Sequence, residues 1–239
     1  MFSKAIQKVS KSIFPIFHYG PQSSGVLGTG FFIDERGYFM TAAHVLNALP
    51  PGSRLGYLGN IPNKSFKNQG MIDISIIANN ADKDLAIGKV DSEILEPLFF
   101  AEEDAVIGQS ISLCGYPLPM IQAQKQVHPV SKAVNMRMDV SRVRQYWQPT
   151  IKMDKLKPNF ILNKKFSSFL TQHAALPGMS GGPIFNLDAE IVGVTSAVWP
   201  RKVPLNNKQH ISIENGIGVD LAEVKRFVEA HLGLGSLMA

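Results

Sequence analysis

Cysteine is almost missing from these 239 residues, tryptophan appears twice, and charged side chains make up only 18%. The lone Cys114 excludes an intramolecular disulfide, so burial and backbone pairing must hold the fold. No apolar run approaches the roughly 18 residues that a membrane-spanning helix needs. There is no fixed-period repeat and no low-complexity tract, and helix signals are few. A secretory signal would need an unbroken apolar core and a small-residue cleavage site. The start, "MFSKAIQKVSKSIF", has neither. It places Phe2, Ile6, Val9 and Ile13 on one face of a helix, which is expected to pack on the body of the protein. With no signal and no disulfide, the cytoplasm is the expected compartment; a periplasmic role would require a removed leader.

What is present is a chain 45% hydrophobic, enough to bury a substantial core. That length fits one all-β domain made of two barrels, or two small domains. The net charge of +5 is uneven, with a local sum of +8 over Lys125–Lys165 and −3 elsewhere. The same region carries Tyr146, Trp147, Phe160 and Phe166. Such a mixture suits nucleic acid or an acidic protein segment; it equally suits a solvated, twisted hairpin whose aromatics belong to the core.

Short strand-like runs recur at barrel spacing. In the first half they are "FPIFHYG", "GTGFFID", "GYFMTAA", "RLGYLG", "MIDISIIA" and "LAIGKV". After a connecting stretch come "QSISLCGY", "AVNMRMDVSRVRQYW", "SFLTQHAAL", "GPIFNL", "EIVGVTSAV" and "NGIGVDL". Cys114 falls in one of these and reads as a small buried hydrophobe. A closing helix follows, with Asp220 at the N-cap, Glu223 completing a capping box, and Gly233 as the stop. Leu221, Val224, Phe227 and Val228 form its apolar stripe, expected on the second barrel.

Three signals carry chemistry, each weak alone. Ser180 sits among glycines and a proline in "LPGMSGGPIF", which by itself describes a turn. His44 ends a strand in "GYFMTAAHVL", where small neighbours let backbone close around an imidazole without filling a cleft. Asp84 precedes the apolar run of "NNADKDLAIGKV", although Asp82 would serve a simple turn as well. A serine hydroxyl becomes a nucleophile when a neutral imidazole takes its proton, and that imidazole needs a carboxylate to fix its tautomer. The order His44, Asp84, Ser180 is one of three known convergent orders. A G-x-S-x-G reading as an α/β-hydrolase, with His231 last in order, is set aside. It would need a helix directly after the serine and alternating strands and helices around it.

Through "GTGFFIDERGYFMTAAHV", "DKDLAIGKV", "GQSISLCGYP", "GMSGGPIFNLDAEIVGVTSA" and "GIGVDLAEVKRFV", the chain resembles the chymotrypsin-like serine peptidases, and within them the disulfide-free bacterial Deg/HtrA type. The resemblance implies two six-stranded antiparallel Greek-key barrels with an N-terminal and a C-terminal helix. Residues 1–100 would carry the first barrel and 101–239 the second. It implies a serine endopeptidase with Ser180 as nucleophile, His44 as base and acid, and Asp84 as orienter, needing no cofactor and no metal. The amides of Gly178 and Ser180 match the oxyanion-hole donors, Gly181 and Gly182 keep the floor clear, and Ser196 matches a serine that supports the triad acid. Ala174, Thr195, Ser196 and Val198 match the substrate pocket. A protein or peptide would be the substrate, and a homotrimer is the implied assembly. The alternative is a protease-like fold kept for docking a partner or nucleic acid through its basic 125–165 segment.

Two departures stand out. The expected chain has no PDZ module. Met179 replaces the aspartate or asparagine that relatives carry before the serine, so the oxyanion loop is expected either to be held by methionine packing and backbone contacts or to form on demand.

Overall fold

The computed structural model describes residues 2–21, 23–58, 71–91, 96–117, 137–147, 166–204 and 209–233. Most of the basic 125–165 segment lies outside these residues; of it, strand Arg137–Trp147 is described. After helix α1 (Ser3–Val9), the first half forms β1 (Ile13–Tyr19), β2 (Ser24–Phe32), β3 (Tyr38–Thr41), a short helix α2 (Ala43–Asn47), β4 (Arg54–Leu58), β5 (Met71–Asn80) and β6 (Leu85–Val90). The second half forms β7 (Ser110–Gly115), β8 (Arg137–Trp147), β9 (Ser168–Thr171), β10 (Pro183–Phe185), β11 (Ile191–Pro204), β12 (His210–Asp220) and helix α3 (Leu221–Leu232).

Each half closes into its own barrel, and the two share one cyclic order. The first runs β1-β2-β3-β6-β5-β4, and the second runs β7-β8-β9-β12-β11-β10. In each, the third strand pairs with the sixth and the fourth returns beside the first, which is the expected antiparallel Greek key. Closure leaves no sheet edge to protect. Proline fits in β1 because Pro15 pairs only with β2, opposite Thr29, while the β4 ladder begins further on at Phe17. The β11–β12 hairpin is longer than its sequence suggests, with pairing running out to Pro204 opposite His210. Pro200 and Pro204 lie in that stretch, and the antiparallel register carries through them.

The first barrel is filled by rings. Phe14 packs on Phe32, Phe39 and Tyr57 with centroids 4.5 to 5.0 Å apart. Phe39 lies opposite Gly88 in register, and a Cβ there would come within 2.2 Å of the ring. The larger core cluster runs from the inner side of the first barrel, through Phe31, Met40 and Ile87, into the second barrel and both terminal helices. It includes Phe2, Val9, Leu98, Phe169, Phe185, Val194, Val224 and Phe227, all buried. Helix α1 thus packs on the body as expected, and it does so across the molecule: the Phe2 ring meets Phe185 of β10 edge-on at 6.1 Å.

Helix α3 starts and stops where the sequence places it. The Asp220 carboxylate accepts the N–H of Glu223 at 2.8 Å, and Gly233 closes the helix at φ 63°. The other half of the capping box does not form. The carboxylate of Glu223 is drawn instead to Lys83 Nζ at 2.5 Å and the Arg226 guanidinium at 3.2 Å. Two cations beside a buried carboxylate outcompete one backbone N–H, which Asp220 directs to the Ser167 carbonyl. The apolar stripe docks on β11 and β12 as expected, and β6 of the first barrel also touches the helix.

The Asp220 cap is buried, so Asp220→Ala should cost roughly 1–2 kcal/mol. In thermal unfolding followed by circular dichroism, that corresponds to a fall in Tm of several degrees. An unchanged Tm would show that the cap contributes nothing.

Candidate active site

His44 lies in the first turn of α2, directly after the buried end of β3. Its backbone N–H donates to Asp84 Oδ1 at 3.1 Å, so the residue is anchored before its ring is considered. The ring Nδ1 then lies 2.9 Å from Asp84 Oδ1 and 3.0 Å from Oδ2. A carboxylate can only accept, so Nδ1 carries the hydrogen and the neutral ring leaves Nε2 as an acceptor. The imidazole is about half open to solvent while the carboxylate is buried, with side-chain exposures of 45% and 1%.

Of the two aspartates the sequence leaves in play, Asp84 is the one turned inward; Asp82 is exposed. Asp84 adopts φ 55°, a left-handed conformation that few residues other than glycine, asparagine and aspartate tolerate. A buried carboxylate without partners would be costly. This one accepts from His44 twice and from the hydroxyl of Ser196 on β11. The Ser196 hydroxyl therefore faces the acid.

Ser180 lies near the end of the loop between β9 and β10, and from Met179 to Gly182 most of the backbone is engaged. Met179 N–H donates to the Leu176 carbonyl, Gly181 N–H to Thr195 and Gly182 N–H to Met179. The Gly178 carbonyl accepts from Thr29 Oγ1 at 2.8 Å, and the Ser180 carbonyl accepts the Thr29 N–H at 2.9 Å. Among the described residues, the N–H groups of Gly178 and Ser180 meet no backbone carbonyl. They flank the Gly178–Met179 peptide, which is pinned at both ends. Gly178 reaches this shape at φ 94°, open to glycine at no steric cost.

Met179 is fully buried, and in this arrangement methionine packing and backbone contacts surround the loop. Gly181 brings the loop against the strand end that leads to His44. At φ 81°, its absent Cβ would lie 2.1 Å from Thr41 Oγ1 and 2.7 Å from the Ala42 nitrogen. The Ser180 carbonyl lies 3.0 Å from where a Cβ on Gly28 would be, beside the Val45 side chain.

The remaining pocket candidates divide. Val198 pairs with Gly216, whose absent Cβ would lie 3.7 Å from Ala174 Cα, so Ala174 and Val198 border one glycine. Thr195 is buried, and its hydroxyl has no hydrogen-bond partner among the described residues. Sequence reasoning singles out neither Gly216, for which "NGIGV" was the signal to use, nor Thr29, whose partner is remote in sequence. His231, the alternative histidine, points its Nδ1 at the Phe227 carbonyl on α3. Cys114 is fully buried, and burial pushes its thiol well above the ordinary range.

The model of the trypsin-like peptidase domain matches residues 28–194, more than half of the chain. The chain belongs to the trypsin-like peptidases. It carries a serine protease domain of the HtrA type. Among curated proteins it is 27% identical over 176 residues to a probable periplasmic serine endoprotease DegP-like of Halomonas elongata, covering 73% of this chain and 30% of that one. The protein of the same name from Rickettsia conorii is 30% identical over 179 residues, covering 72% and 28%. The chain thus spans about three tenths of the length of these relatives. The fold is also that of the Rv3671c protease of M. tuberculosis in its active form, with a TM-score of 0.66, 20% identity, and 96% of this chain and 84% of that one covered. The HtrA-type protease AlgW with a tripeptide gives 0.67 at 14% identity, covering 97% and 64%. The cytoplasmic expectation finds no support among the relatives, whose names say periplasmic. Among the described residues, no helix is long and apolar enough to cross a membrane.

In this peptidase the thiol is a structural group. Iodoacetamide at neutral pH should leave Cys114 unmodified in the native protein and alkylate it after denaturation, as read by intact mass. Rapid native alkylation would contradict its placement.

Proposed function

We propose that this chain is a serine endopeptidase acting on protein substrates through Ser180, His44 and Asp84. The observation that carries the reading is the pair of N–H groups, Gly178 and Ser180, that meet no backbone carbonyl among the described residues, where the N–H groups of Met179, Gly181 and Gly182 are engaged. Two fixed donors at the nucleophile are what a developing oxyanion requires. His44 Nε2 takes the Ser180 proton as the hydroxyl attacks the peptide carbonyl, and Asp84 stabilises the imidazolium. His44 then returns the proton to the leaving amine, giving an acyl-enzyme that water cleaves by the same steps. The first barrel supplies base and acid and the second the nucleophile, with the division of labour at 1–100 and 101–239; α1 is the element that crosses it. The names of the relatives support the periplasm as the compartment. A homotrimer is the proposed assembly, testable by light scattering on the purified chain.

Ser180→Ala and His44→Ala should each lower peptide hydrolysis by roughly 10⁴- to 10⁶-fold without unfolding the protein. Asp84→Asn should cost about 10⁴-fold, whereas Asp82→Asn should stay within a few-fold of wild type. Labelling of Ser180 by a fluorophosphonate, followed by peptide mapping, is the direct check. An Ser180→Ala variant retaining more than about a tenth of the activity would remove the assignment, and the docking-module alternative would then take its place.

The pocket residues proposed are Ala174, Thr195 and Val198, with Ser196 behind them on the acid. None carries a charge, so a lysine or arginine at the cleaved position would be buried unpaired. Cleavage of a peptide library, read by mass spectrometry, should favour small or medium apolar residues before the scissile bond. A profile dominated by Lys or Arg would show that other residues form the pocket.

A further inference from the structure

Thr29 engages every polar group it has, and each partner bears on one loop or the strand beside it. Its N–H donates to the Ser180 carbonyl at 2.9 Å, and its carbonyl accepts the Thr41 hydroxyl at 2.8 Å. Its own hydroxyl lies 2.8 Å from the Gly178 carbonyl and 3.0 Å from the Tyr116 N–H. That second contact settles the direction of the first. An amide N–H can only donate, so the oxygen accepts from Tyr116, and its single hydrogen goes to Gly178. Tyr116 is tied in turn to the first barrel, its phenol donating to the Ile13 carbonyl at 3.2 Å. Thr29 itself is fully buried on β2.

We infer that Thr29 is a positioning residue for the oxyanion site, its hydroxyl fixing the peptide between the two N–H donors; this rests on the peptidase reading. The Gly178 carbonyl and the Met179 N–H belong to one peptide plane. Thr29 holds its oxygen, and the Leu176 carbonyl holds its N–H. With that plane fixed, the N–H groups on either side have their directions set. Without the hydroxyl, the plane is held at one end only, and glycine at 178 opposes no rotation. The Thr29 N–H, which grips the Ser180 carbonyl, survives substitution of the side chain, so Ser180 stays seated while the donor beside it loosens. Methionine at 179 brings no charge to do this work, and a hydroxyl reaching from the other barrel does it instead.

Thr29→Val keeps shape and volume but removes the hydrogen bond; Thr29→Ser keeps the bond. In the full chain, Thr29→Val should lower kcat by about 10- to 100-fold with KM little changed, because the lost interaction belongs to the transition state. Thr29→Ser should restore most of it. A peptide aldehyde ending in valine, which forms a tetrahedral adduct on serine, should bind Thr29→Val more weakly by about the same factor. The corresponding alcohol, which forms none, should bind unchanged. Hydrogen exchange of the 176–182 backbone, read by mass spectrometry, should quicken about tenfold in Thr29→Val and not in Thr29→Ser, with the barrels protected as before. This last measurement does not depend on activity. If wild type neither cleaves peptides nor binds the aldehyde, the peptidase reading fails while exchange still decides the clamp. Exchange at 176–182 equal to wild type in Thr29→Val, or faster exchange everywhere, would overturn the inference. So would a rise in KM with kcat unchanged.

Discussion

Two barrels share one site here because their backbones meet more closely than side chains permit. At Gly182 an added Cβ would lie 2.0 Å from the Cys114 carbonyl, and at Gly181 it would lie 2.5 Å from that of Thr29. At Gly115 it would come within 2.7 Å of Met179 Cα. These contacts press the nucleophile loop between β2 and β7, so its shape depends on both halves of the chain. Hydrogen bonding follows from that closeness. Only where strands approach this nearly can a threonine on one barrel reach carbonyls on either side of a serine on the other.

The acid is held by a different logic. Asp84 is buried in a left-handed turn, and its charge is met by donors from both barrels: His44 from the first and Ser196 from the second. The neighbouring Lys83 reaches Glu223 on α3, which makes the closing helix a brace for the turn that presents the acid. Breaking a buried, paired charge costs more than the pair contributes when intact. The brace therefore matters chiefly by keeping Asp84 from finding another geometry. Packing of Val224, Phe227 and Val228 under α3 supplies the attachment.

Much of this was readable from residues alone, and the reasons differ by element. Apolar runs bounded by turn residues marked the twelve strands among the described residues, because strand period and turn chemistry are local properties. Asp220 and Gly233 marked the ends of α3 for the same reason. Asp84 could not be told from Asp82 by spacing, since what separates them is burial in a turn of unusual backbone shape. Glu223 was misread as the second half of a capping box because Lys83, its partner, is remote in sequence. Thr29 was invisible for a stronger reason. Its hydroxyl acts on a carbonyl 149 positions away, and nothing in "GTGF" declares that distance.

The placement of α1 bears on synthesis. Phe2, Ala5 and Val9 lie in a cluster with Phe185, Val194 and Phe227, so α1 cannot find its seat until strands made much later are present. A chain emerging at about 5–20 residues per second must hold those side chains in water for on the order of ten seconds before β10 appears.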